Sequence, residues 1–177
     1  MDKLLIYSDG ACSNNGKAAA EICGSFAAYF VPPDSTWSDN PDGHYALKKQ
    51  KPLVHESRVA LNMDDCLLPA NVATPMLVPH TVYDKPKPTN NVAEALTLSK
   101  ALAWAKCAIH SGTLLCKNIE VCMDSKLVLY QIQGIYSTNN RVLRKIYGGI
   151  LATIDKLPPV TFTWIPGDLM KQTIISH

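Results

Sequence analysis

Residues 118–134 read NIEVCMDSKLVLYQIQG. The first six, NIEVCM, are mostly apolar and predict a strand. Asp124-Ser125 then opens a helical segment, KLVLYQIQG, which stops at Gly134. A strand that runs through a polar junction straight into a helix is the unit of an α/β sheet.

The neighbouring segments extend this pattern. On the N-terminal side, residues 92–110, VAEALTLSKALAWAKCAIH, are rich in Ala and Leu and hold no Gly or Pro, which predicts a helix. It is apolar around much of its circumference and is expected to be well buried. Ser111-Gly112 ends it. On the C-terminal side, residues 140–156 read as an amphipathic helix with Arg141, Arg144 and Lys145 on its polar side, closed by Pro158-Pro159. Residues 160–165, VTFTWI, read as a last strand leading to Pro166-Gly167. At the other end, Lys3 to Ser8 reads as a strand that runs into Asp9-Gly10, and residues 22–31 read as a second strand closed by Pro32-Pro33. Asp-Gly and Asn-Gly are turn signals, so residues 9–20 are expected to form a hairpin loop.

Residues 32–88 hold nine of the twelve prolines. Strand-like pieces stand at 53–61 and 76–83, and proline confines such pieces to edges and loops. A structureless connection of that length is unusual in a compact domain, so at least one sheet strand plus an insertion is expected there. The order is then β-β-(β)-α-β-α-α-β. That predicts one α/β domain over 1–177, with a mixed central sheet: three antiparallel strands, then helix-connected parallel strands, flanked by helices.

Composition excludes little. Hydrophobic residues make up 47% and charged residues 18% of the chain, as in folded soluble proteins. A net charge of +2 neither argues for nucleic acid nor against it, because a local basic strip can bind phosphates. The six cysteines form no C-x-x-C pair, so zinc-ribbon spacing is absent. The five histidines are scattered. No signal segment opens the chain and no apolar run reaches membrane-spanning length. The expectation is an intracellular protein, cytoplasmic or nuclear, with reduced cysteines and no membrane contact.

Three carboxylates fall at element junctions. Asp9 and Asp124 end strands, and Glu94 lies in the first turn of a helix. Ligand sites in open α/β sheets gather beyond the carboxyl ends of strands. Each residue also has a structural role open to it. Asp9 suits a turn, Glu94 suits a capping box with Asn91 as N-cap, and Asp124 suits an N-cap.

Four motifs in sequence resemble the type I ribonuclease H family, in its compact branch without a basic protrusion. YSDGACSNNG (7–16) is similar to that family's first strand and Asp-Gly element. PTNNVAEALTLSKAL (88–102) is similar to its Thr-Asn-Asn-x-x-Glu helix start. VCMDSKLVLYQI (121–132) is similar to its Asp-Ser junction, and FTWIPGD (162–168) to its closing Trp-x-x-Gly strand. The resemblance covers residues 3–31 and 89–168. It implies a ribonuclease H-like fold and a metal-dependent endonuclease that cuts the RNA strand of RNA/DNA hybrids. It implies Asp9, Glu94 and Asp124 as catalytic ligands of two Mg2+ ions, with Mn2+ as substitute. It also implies Gly10, Cys12, Asn15, Asn90, Asn91 and Ser125 as substrate-binding positions. A reverse transcriptase or other partner chain is a further implication, as is a non-catalytic scaffold on the same fold. These residue types suit the chemistry: Mg2+ is hard and takes oxygen ligands, and neutral amides and hydroxyls can read the 2′-hydroxyl.

The sequence departs from the family at its end. A fourth Asp, expected after the closing strand, is not found at the shorter spacing, where Ile174 stands. The last helix of the fold is therefore expected to be missing. Asp168 occupies the position where many members carry a His. It is a candidate for metal binding or proton transfer, and equally for capping a turn.

Overall fold

The computed structural model describes residues 3–13, 21–31, 53–62, 68–69, 83–84 and 89–173. Strands β1 (Lys3–Ser13), β2 (Glu21–Val31) and β3 (Leu53–Ala60) come first. Two short strands, β4 (Leu68–Pro69) and β5 (Tyr83–Asp84), pair only with each other among the described residues. Then follow α1 (Asn90–His110), β6 (Asn118–Met123), α2 (Lys126–Ile132), α3 (Arg141–Ile154), β7 (Val160–Trp164) and α4 (Gly167–Thr173).

The main sheet has the order β3-β2-β1-β6-β7. β1 pairs antiparallel with β2, and β2 with β3. β6 runs parallel to β1 and β7 parallel to β6. This is the mixed sheet expected, with β3 supplied from within the 32–88 region. The expected piece at 76–83 lies outside the described residues except for Tyr83.

Alternation along the strands sorts the core into two layers. Leu4 and Ile6 of β1 point into the larger cluster, with Val92, Leu98 and Leu102 of α1 and Ile146 and Ile150 of α3. Leu5 and Tyr7 point the other way, onto Tyr29, Cys122, Ile165, Leu169 and Met170. α1 is buried along most of its first half, from Val92 to Leu98, as its apolar circumference requires. α3 buries only Leu143, Ile146, Tyr147 and Ile150, one stripe at helical spacing. Its Arg141, Arg144 and Lys145 are exposed, as expected for the polar face.

Three local expectations are corrected. β1 does not end at Ser8. It continues through Asp9 and Gly10 to Ser13, with Asp9 opposite Ser25 and Gly10 opposite Gly24. The ladder with β2 overrides the turn propensity of Asp-Gly. The N-cap of α1 is Thr89, not Asn91: Thr89 Oγ1 accepts from the Val92 amide at 3.2 Å. The N-cap of α2 is Ser125, not Asp124: Ser125 Oγ accepts from the Val128 amide at 3.3 Å. Both caps satisfy an orphan amide of the first turn, so neither Asn91 nor Asp124 serves as a helix cap. After β7 the described residues hold one helix of two turns, α4. Leu169 and Met170 of α4 cover the second sheet face.

Candidate metal centre at the fork of two strands

The parallel register of β1 and β6 pairs Lys3 with Asn118 and runs to Tyr7 with Cys122. β6 ends at Met123, while β1 goes on beside β2 alone. The same register carried two residues further sets Asp9 against Asp124 at the point where the strands part. Both are half-buried. The position is the carboxyl end of two parallel strands, where open sheets collect their ligand sites.

Glu94 reaches this fork because α1 lies very close to the sheet. A Cβ at Gly10 would fall 2.6 Å from the Glu94 amide nitrogen and within contact of the Ala93 carbonyl. A Cβ at Gly24 would collide with the Thr97 side chain, whose hydroxyl donates to Ala93 O at 2.7 Å. Gly10 and Gly24 are direct partners across the ladder. Together they form a bare strip on which the Ala93–Thr97 turn of α1 rests. The Gly10 position, expected to approach substrate, thus has a firm structural duty to the helix.

One oxygen each from Asp9, Glu94 and Asp124 lies within 4.8 Å of the other two. Glu94 is 7% exposed. Burial pushes its carboxyl up to about 10, the charges of Asp9 and Asp124 and a hydrogen bond with Asp9 add to this, and the Gly10 amide opposes it. Glu94 Oε2 is buried with no hydrogen-bond partner. A buried orphan oxygen beside two further carboxylates costs free energy unless a cation or proton offsets it. Three hard oxygen donors on three separate elements fit a divalent cation such as Mg2+ or Mn2+.

The other sequence-predicted positions are distributed as follows. Asn90 Oδ1 accepts from the Cys12 amide at 2.9 Å, which ties the start of α1 to the far end of β1. Asn91 is half-buried in the first turn of α1, and Ser125 is the cap already described. Asn15 lies outside the described residues. Asp168 is exposed in the first turn of α4 and is not one of the three clustered carboxylates. Among the described residues no fourth acidic side chain joins them. The start of α4 nevertheless abuts the cluster, since a Cβ at Gly167 would lie 3.4 Å from Asp124 Oδ2.

Sequence reasoning missed Gly24, Thr97 and a contact by Trp164, whose Nε1 donates to the Asp124 carbonyl at 3.0 Å. A glycine within an apolar strand, near the register of Gly10, was the available signal for Gly24. The Trp-x-x-Gly motif marks Trp164 itself but not this contact, because its partner stands 40 residues away.

No family model matches the chain, and no curated relative matches it. Solved structures do. The N-terminal ribonuclease H domain of Rv2228c from Mycobacterium tuberculosis, solved as a fusion with maltose-binding protein, is 19% identical. The alignment covers 96% of this chain and 92% of that one, at a TM-score of 0.60. Ribonuclease H1 of the halophilic archaeon Halobacterium salinarum is 19% identical over 96% and 90% of the two chains, at 0.58. The LC11 ribonuclease H1, solved in complex with RNA/DNA hybrid, is 20% identical over 96% and 89%, at 0.57. The chain has the ribonuclease H fold.

Proposed function

We propose that this chain is a type I ribonuclease H, a divalent-cation-dependent endonuclease that cuts the RNA strand of RNA/DNA hybrids. The observation that carries the reading is the convergence of Asp9, Glu94 and Asp124 within 4.8 Å, with a buried orphan oxygen on Glu94. A folding role alone does not account for it. Both neighbouring helix caps are other residues, and three carboxylates forced together destabilise the metal-free fold.

Asp9, Glu94 and Asp124 would hold the cations, which when bound supply charge neutralisation at the phosphodiester and an activated water. The chain's own groups do the rest. The Gly10 amide holds Glu94 toward the fork. Asn90 and Cys12, linked by their hydrogen bond, set the rim where β1 meets α1. Asn15, Asn90, Asn91 and Ser125 supply neutral polar groups suited to 2′-hydroxyls and base edges. Lys126, Arg141, Arg144 and Lys145 are exposed and suited to phosphates.

A second reading follows from the absence of a fourth carboxylate in the cluster among the described residues. Three carboxylates hold one cation firmly and a second weakly, so turnover is slow, and a binding or scaffold role is its limit. Asp168, beside the Gly167 approach to Asp124, is the candidate to supply what is missing. The test is cleavage of a labelled RNA/DNA hybrid with Mg2+ and then Mn2+, by the parent and by Asp124→Asn. Metal-dependent cleavage that disappears in the folded variant supports the enzyme. Equal cleavage by the variant refutes the site. Full-rate cleavage by the parent refutes the need for a fourth group, and hybrid binding without cleavage favours the scaffold. None of the helices among the described residues is long and apolar enough to cross a membrane.

A further inference from the structure

We infer that Trp164 is a positioning residue for Asp124 and so sets divalent-cation affinity at the fork. The inference rests on the metal-binding reading of that site. Asp124 stands outside regular structure: β6 ends at Met123, and α2 begins at Lys126 behind the Ser125 cap. The backbone ladder between β6 and β7 pairs Met123 with Trp164 as its last step. The Ile165 amide then donates to the Met123 carbonyl at 2.9 Å. The β6–β7 ladder ends at that step. The Trp164 indole continues the ladder by one step with a side chain, donating Nε1–H to the Asp124 carbonyl at 3.0 Å.

Two contacts fix the indole itself. The Lys126 ammonium sits 4.4 Å from the centroid of its ring, a cation–π geometry. Its own backbone belongs to the end of β7, already in register with β6. Gly167 then brings the chain back against Asp124 Oδ2, within 3.4 Å of where a Cβ would stand. Asp124 is therefore held at its carbonyl by the indole, and the chain that follows Trp164 passes near its carboxylate. The ring is 40% exposed, so its hydrophobic burial is incomplete and its N–H bond is the more specific contribution. Supporting groups of this kind orient a ligating carboxylate without touching the ion.

The experiment is a Mn2+ titration of the full chain, followed by calorimetry and by the cation-induced rise in melting temperature. Trp164→Phe keeps an aromatic ring for Lys126 and loses the N–H donor together with the smaller ring that carries it. The expected result is Mn2+ binding weakened by about tenfold, at the low end for outer-shell partners. A folded Trp164→Phe that binds as tightly as the parent overturns the inference. The parent supplies a second measurement that needs no variant: the Trp164 indole N–H resonance should shift with Mg2+ occupancy and exchange slowly with solvent. A resonance indifferent to Mg2+ overturns the inference even if the variant does not fold. A parent that binds no divalent cation refutes the metal-centre reading itself, and the inference falls with it.

Discussion

Replacing Glu94 with Gln should stabilise the metal-free protein, and the gain should grow with pH. Glu94 is buried at the fork and its carboxyl is pushed from 4.5 to about 10. Across neutral pH the folded, metal-free protein therefore keeps a proton on Glu94 that the unfolded chain releases. A raised carboxyl stabilises the fold only below its unfolded value, and the stability is lost as pH rises toward the folded value. The slope for one retained proton is about 1.4 kcal/mol per pH unit. From about pH 5.5 to about pH 8.5 the loss from this group reaches an upper limit of roughly 4 kcal/mol, since internal relaxation reduces it. For a chain of this length that corresponds to a change on the order of ten degrees in melting temperature. An amide at 94 cannot ionise and removes the slope. The assay is thermal or urea unfolding of parent and Glu94→Gln in chelator, at several pH values, with the difference between the two proteins as readout. Taking the difference cancels the titrating groups outside the fork. Adding Mg2+ should reverse the order: the parent gains stability, more so at higher pH as the proton is displaced more readily, while the variant barely responds. A difference that stays flat with pH, or falls as pH rises, refutes the assignment of a buried, proton-holding Glu94.

Three further outcomes follow from contacts around the same fork. Gly10→Ala should lose about 1–3 kcal/mol or more, because its Cβ meets the α1 backbone, which cannot yield as a side chain can. Urea unfolding measures the loss, and the Mg2+-induced melting shift should fall with it as Glu94 is displaced. Gly24→Ala should be costly for a different reason, its collision with the Thr97 side chain, so Thr97→Ala should recover part of the loss. A double-mutant cycle in urea should show coupling of about 0.5–3 kcal/mol. Arg144→Gln should leave stability unchanged and flatten the salt dependence of hybrid binding by about one unit of log–log slope. An unchanged slope in a filter-binding series would remove Arg144 from the interface.

Most of the element order was legible because the helices announce themselves by period and the strands by short apolar runs. α1, β6, α3 and β7 fall within a few residues of their sequence limits. What local sequence misjudged was decided across the chain. Asp9-Gly10 has strong turn chemistry, yet it lies flat in β1 because Gly24 opposes Gly10 and α1 presses on both. Thr89, Asn90 and Asn91 are all capable N-caps, so composition alone could not choose among them. Packing chose Thr89, and Asn90 instead accepts from Cys12. The three carboxylates were identifiable as a group, but their distances depend on a parallel register between strands more than 100 residues apart. α4 was too short for periodicity to reveal, and Trp164 was marked only as part of the closing Trp-x-x-Gly motif, without its partner.

The fork also shows why its acidic residues are unlike ordinary surface carboxylates. Exposed carboxylates on neighbouring loops can turn outward and let water screen them. Here such relief is restricted, because Glu94 is buried and Asp9 and Asp124 are half-buried. Asp9 lies in a ladder with β2, Glu94 sits on a helix packed closely onto Gly10, and the Asp124 carbonyl accepts from the Trp164 indole. The metal-free fold therefore carries repulsion, a protonated buried acid and an orphan oxygen in one small region. That cost is tolerable because α1 buries Val92, Leu98, Leu102 and Ala105 in the core and anchors Glu94 from behind. Strain of this kind, held in place by packing elsewhere, is expected where a site is pre-organised for a ligand. A bound divalent cation would offset the repulsion, displace the proton and give Glu94 Oε2 a partner, whereas a proton on Glu94 relieves only part of the repulsion.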